Sequence, residues 1–120
     1  MRPEDTALFK SKKFAIRIVR LYTRLRDVKM ETVMSKQLLR CGTSIGANLS
    51  EAECAVSKKD FANKVGIANK ECAETVYWLG LLHDTQLLSD AEFKAIMDDC
   101  LAIRKMLIAT TKTLKKENLD

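Results

Sequence analysis

From Gln37 to Leu82 the chain reads QLLRCGTSIGANLSEAECAVSKKDFANKVGIANKECAETVYWLGLL. Two helix-period apolar patterns meet there at one serine, with Gly42 and Gly46 four residues apart inside the first. A glycine inside a helix costs about 1 kcal/mol against alanine. Two on one face imply that another backbone approaches that face closely. The 120 residues hold only four glycines and one proline, Pro3, which precedes any periodic pattern. So few turn formers disfavour β architecture, and this length supports one domain, residues 1–120, with a single core.

Apolar residues at spacings of three and four predict four helices. The first runs from about Phe9 to Asp27 with Phe14, Ile18, Leu21 and Leu25 on one face. Residues 28–31 form a connector without glycine or proline. The second helix runs from about Glu31 to Val56 through Met34, Leu38, Cys41, Ile45, Leu49 and Ala52. Ser57 reads as the cap of the third, with Asp60 placed to bond back to the cap's N–H. That helix carries Phe61, Val65, Ala68, Cys72, Leu79 and Leu82, and a second apolar strip with Trp78 and Leu81. After a short loop over 84–88, Ser89 and Glu92 form another capping box. Phe93, Ile96, Cys100, Ile103, Leu107 and Leu114 then mark the fourth helix. Short connectors between four amphipathic helices predict an all-α, antiparallel up-down-up-down four-helix bundle.

Composition excludes several classes. No apolar run approaches the ~20 residues needed to span a bilayer and no signal-peptide pattern opens the chain, so a soluble, cytoplasmic protein without membrane contact is expected. Cys41, Cys54, Cys72 and Cys100 show no C-x-x-C spacing, and three take apolar helix positions. They read as reduced core residues, not disulfides or metal ligands. With His83 the only histidine, paired Glu-x-x-His motifs for a di-metal site are ruled out, and no cofactor or metal is expected.

The net charge of +5 is unevenly placed. Residues 1–30 carry nine Lys/Arg against three Asp/Glu, net +6, whereas residues 31–120 sum to −1. Lys10, Lys13, Arg17, Arg20 and Arg24 follow a three-four-three-four spacing that sets five cations along one edge of the first helix. No carboxylate within that helix is placed to neutralise them. One reading is a track for nucleic-acid phosphates. The other is a solvated face, or ion pairs with acids of the fourth helix such as Asp98 and Asp99. Tyr22 is the only ring near the row available for stacking, so backbone or shape recognition fits better than base readout.

A second constellation is polar. Arg40, Ser44, Asn48 and Glu51 rise along the second helix, and Glu71, Glu74 and Thr75 lie where an antiparallel third helix meets them. A catalytic reading needs a nucleophile beside a base, and no histidine is available. Arg40, Ser44, Asn48, Glu71 and Glu74 read as a buried hydrogen-bonded seam fixing helix register. The glycine block lacks the Gly-Lys-Ser/Thr ending of a phosphate loop, so close packing explains it better, within the bundle or between subunits. Trp78 likewise admits a core or an interface position. No residue reads as catalytic.

The Phe14–Tyr22 pattern Phe-Ala-x-x-Ile-Val-x-Leu-Tyr, the Gln37–Glu51 block, Asp60-Phe61 and the Ile67–Leu82 block together resemble a known family. It comprises the small four-helix-bundle proteins encoded within intervening sequences of bacterial 23S rRNA genes, similar in fold to accessory variability determinants of diversity-generating retroelements. The resemblance implies a homo-oligomer, a ring-like homopentamer in known members. In the retroelement relatives a basic surface binds nucleic acid and a reverse transcriptase. It transfers no catalytic residue. The functional expectation is a non-enzymatic oligomer that binds structured RNA, or RNA/DNA, through Lys10, Lys13, Arg17, Arg20 and Arg24. The alternative is a protein–protein scaffold that docks a polymerase-type partner without touching nucleic acid.

Overall fold

A computed structural model describes residues 2–117. After a 3-10 turn over Pro3–Asp5 come four helices: α1 (Ala7–Asp27), α2 (Val33–Ala52), α3 (Lys58–Asp84) and α4 (Asp90–Lys116). Each packs against its neighbour in sequence, and α1 and α4 close the ring with the slightest contact of the four. Cross-helix pairs fix the directions. Ile18 and Ser11 of α1 face Gly42 and Gly46 of α2, and Arg40 and Glu51 of α2 meet Glu71 and Lys64 of α3. His83 of α3 stacks on Phe93 of α4, and Arg17 and Arg24 of α1 meet Asp99 and Glu92 of α4. Lower down α3 and α4, Cys100 Sγ reaches Cys72 O, so within every helix pair the numbers run oppositely and all four contacts are antiparallel.

The predicted stripes form the core. Ile18, Leu25, Leu38, Ile45, Leu79, Leu82, Ile96, Ile103 and Leu107 are fully buried. Cys41, Cys72 and Cys100 join them, and Cys54 is exposed; all four are free thiols. Burial pushes the Cys41 thiol up to about 11. Hydrogen bonding with Cys72, together with burial, raises Cys100 as well. The Cys41 and Cys100 thiols therefore stay protonated at neutral pH.

Helix ends depart from expectation where side chains intervene. α1 starts two residues earlier because Thr6 Oγ1 accepts the Phe9 N–H. α2 is shorter at both ends than 31–56. At its start Glu31 lies outside the helix, and its carboxylate accepts the N–H groups of Val33, Met34 and Ser35 at 2.8–3.0 Å. Met30 supplies the turn with a positive φ of 57°. At the other end the Asp60 carboxylate takes the Val56 N–H instead of that of Ser57, and residues 53–57 leave the helix. Ser57 and Ser89 cap α3 and α4 as expected. The Glu92 side chain does not close its capping box; it reaches across to Arg24. α3 ends in a Schellman motif: Gln86, at φ 66°, donates to His83 O, and Leu87 donates to Leu82 O.

The bundle measures 47 × 26 × 22 Å. The 27-residue α3 and α4 account for about 40 Å of the long dimension at 1.5 Å per residue. No helix among the described residues is long and apolar enough to cross a membrane.

Candidate nucleic-acid interface

The basic row lies where α1 meets α4. On α1 the core positions Phe14, Ile18, Leu21 and Leu25 point to the bundle axis. Residues one position before Phe14, Ile18 and Leu25 fall about 100° round the helix, on the α4 side. An open groove of about 400 Å³ runs there. Lys10, Lys13 and Arg17 of α1 line one side, Asp99 and Ala102 of α4 the other, with the buried Phe14 and Ile103 between them.

The five cations are not equivalent. Arg17 Nη1 donates to Asp99 Oδ2 at 2.9 Å, and Arg24 Nη2 donates to Glu92 Oε1. Among the described residues, Lys10, Lys13 and Arg20 form no ion pair with an acid; Lys13 Nζ sits 5.9 Å from the centroid of the Phe9 ring. Asp98, the other candidate partner, is taken by Lys94 one turn away on its own helix at 2.8 Å. Thus both readings of the row hold in part: two arginines are neutralised by α4, and three cations are not. Tyr22 is no open stacking platform, because the Arg26 guanidinium lies 5.5 Å over its ring.

Glu92 is the partner that sequence reasoning missed, since its cap position already explained it. The signal was present in register. In an antiparallel pair the partner numbers have a constant sum, so pairing Arg17 with Asp99 sends Arg24, seven residues on, to Glu92.

The polar constellation resolves into two separate parts. Arg40 spans from α2 to both Glu71 (3.3 Å) and Glu74 of α3. Trp78 Nε1 donates to the same Glu74 oxygen at 3.1 Å. The Arg40 guanidinium, with the Trp78 indole, holds the Glu74 carboxyl below the usual range despite some burial. Ser44 and Asn48 do not join this bridge. Each bonds a carbonyl four residues back on α2, at Arg40 O and Ser44 O. Nor is the bridge buried: the Arg40 side chain is 51% exposed, because α2 turns that residue outward at the α2/α3 groove. The expected buried seam is therefore a surface bridge of three charged residues with Trp78 beneath it.

Trp78 sits half-buried on the margin of the core, edge-on to Tyr77 at 5.0 Å between ring centroids. Gly42 and Gly46 face α1. A Cβ on Gly42 would stand 3.0 Å from Ile18 Cγ2, and one on Gly46 3.0 Å from Ser11 Oγ. The glycine pair therefore serves packing inside one chain. His83 is stacked on Phe93, with ring centroids 4.1 Å apart, and bonds Asp90 at 2.6 Å. Among the described residues, no three His, Cys, Asp or Glu side chains gather in a way that could hold a metal ion.

Comparison with known proteins agrees with this architecture. A crystal structure of a protein of unknown function from the S23 ribosomal protein family of Bacteroides thetaiotaomicron superposes with a TM-score of 0.88 at 50% sequence identity. The alignment covers 89% of this chain and 99% of that one. No curated protein matches the chain. The model of one family matches residues 6–109, which span α1, α2, α3 and most of α4. The chain belongs to the 23S rRNA-intervening sequence protein family.

Proposed function

We propose that this protein is a non-enzymatic, self-associating bundle that binds the phosphate backbone of structured RNA, or of RNA/DNA, through the exposed edge of α1. One observation carries the reading. Lys10, Lys13 and Arg20 share one edge of α1, the two lysines beside an open groove, and among the described residues none of the three has an acid within ion-pair distance. Cations so placed gain by displacing the counter-ions condensed on a polynucleotide. The family's description as 23S rRNA-intervening sequence proteins directs the choice among polyanions to RNA. Self-association, with the homopentamer as the expected form, multiplies the row, and contacts weak in one protomer add through multivalency. Replacing Lys10, Lys13 and Arg20 together by glutamine should weaken binding to a labelled RNA hairpin. It should also flatten the slope of log affinity against log salt by about 0.7–0.9 per residue removed. An unchanged slope overturns the assignment.

A second reading, a scaffold that docks a polymerase-type protein, is favoured by the outer face of α3. Gly66 and Gly80 there meet no other group within 4 Å, and Tyr77 between them is 61% exposed. Partners that persist in a pull-down after nuclease treatment favour the scaffold; partners that vanish favour RNA.

A further inference from the structure

We infer that Asp99 and Glu92 of α4 are built-in counter-ions that compete with phosphate for Arg17 and Arg24, and that the ridge is made for an extended polyanion, not for a small anion. The inference rests on the reading of α1 as a phosphate-binding edge.

The argument starts from position. Lys10 and Lys13 lie within one helical turn. Arg20 lies seven residues beyond Lys13, about 10 Å along the axis at 1.5 Å per residue. A phosphate between the two lysines sits about two helical turns from Arg20, with Arg17 in its bond to Asp99 standing between them. A chain of phosphates that starts in the groove at Lys10 and Lys13 and continues along the α1 edge to Arg20 engages all three in place.

Between Lys13 and Arg20 the row is occupied by Arg17 in its bond to Asp99, and its far end by Arg24 in its bond to Glu92. A backbone following the row passes both carboxylates and meets like charge at each. It gains little from the two arginines, because each must give up its carboxylate before it can replace a counter-ion on a phosphate. Yet neither pair is buried, with Arg17 and Asp99 side chains 43% and 54% accessible and Arg24 and Glu92 45% and 25%, and pairs open to solvent are weakly held. They are placed to lower the affinity of the ridge without closing it.

α4 also contains the matching control. Asp98 adjoins Asp99 in sequence but bonds Lys94 of its own helix at 2.8 Å, not the row. Asp98→Asn and Asp99→Asn change the net charge identically and differ only in which cation they free.

The test is fluorescence anisotropy of a short labelled RNA hairpin across a salt series, with thermal melts to confirm that each variant is folded. Asp99→Asn and Glu92→Gln should each tighten binding by about two- to fivefold, the scale of one exposed ion pair. Each should also steepen the salt slope by about 0.7–0.9. Asp98→Asn should do less than half as much. If Asp98→Asn matches Asp99→Asn, only overall charge matters and the inference falls. It falls too if the Asp99→Asn/Glu92→Gln double variant binds as the parent while the Lys10, Lys13 and Arg20 variant is weakened; the RNA reading then survives alone. If that cation variant itself binds as the parent, the RNA reading fails and the inference with it. Inorganic phosphate should displace the hairpin no better than sodium chloride of equal ionic strength. Stronger displacement overturns the extended-ligand part.

Discussion

The bundle is two helical hairpins that use the same residue type in opposite ways. In the α1–α2 hairpin, Gly42 and Gly46 make room for Ile18 and Ser11, with contacts already tight at the position of a missing Cβ. In the α3–α4 hairpin, Gly66 and Gly80 give room to nothing within 4 Å. The connectors differ as well. α1 passes to α2 through Met30 at positive φ and a carboxylate, Glu31, that holds three N–H groups of the next helix. α3 passes to α4 through a Schellman turn at Gln86 and a serine cap. A helical glycine is thus no signature of close packing by itself; what lies opposite the Cα–H decides.

The largest effect should come from filling the tight site. Gly42→Leu forces a side chain into Ile18 and should destabilise the fold by ~3 kcal/mol or more, read by urea denaturation. Near-neutral stability would show that the hairpin is looser than its geometry implies. Gly66→Ala and Gly80→Ala should do the reverse, each stabilising the protomer by about 1 kcal/mol through helix propensity alone. Any destabilisation of an isolated protomer would erase the contrast, whereas a stabilised protomer that self-associates less would show that the open glycines face another copy.

The connector comparison is the finest. Burial raises the Glu31 carboxyl, but the hydrogen bonds from Ser35, Met34 and Val33 outweigh it and leave the group below its ordinary value. A carboxylate depressed in the folded state adds stability above its unfolded pKa of about 4.3, and that stability is lost as pH falls through the folded value. Glu31→Gln should therefore cost about 1 kcal/mol at pH 7, with the difference from the parent shrinking as the solution is acidified below pH ~4. A pH-independent difference would assign the loss to packing.

The sequence made the fold legible because every core stripe repeats at helix spacing, and Ser57 and Ser89 sit where caps belong. Boundaries failed where a side chain competed with the backbone. Glu31 looks like a helix residue by propensity, yet its carboxylate takes N–H groups of the helix that follows it, and Asp60 closes its cap on Val56 N–H, one residue before the expected Ser57. The cationic row was visible from spacing alone, but which members are neutralised depends on the register of α4 against α1. No pattern within α1 encodes that. The polar constellation misled for a related reason. Ser44 and Asn48 share a face with Arg40, and both satisfy themselves on their own helix before any neighbour can be reached.

Three of the four helix contacts join elements adjacent along the chain; the α1/α4 contact alone ties the beginning of the polypeptide to its end, and it is the slightest. A topology so dominated by local closures should fold fast. The α1/α4 joint should open first in native-state hydrogen exchange. The groove that gathers Lys10, Lys13 and Arg17 therefore lies along the bundle's own zip, where the two ends of the chain are brought together.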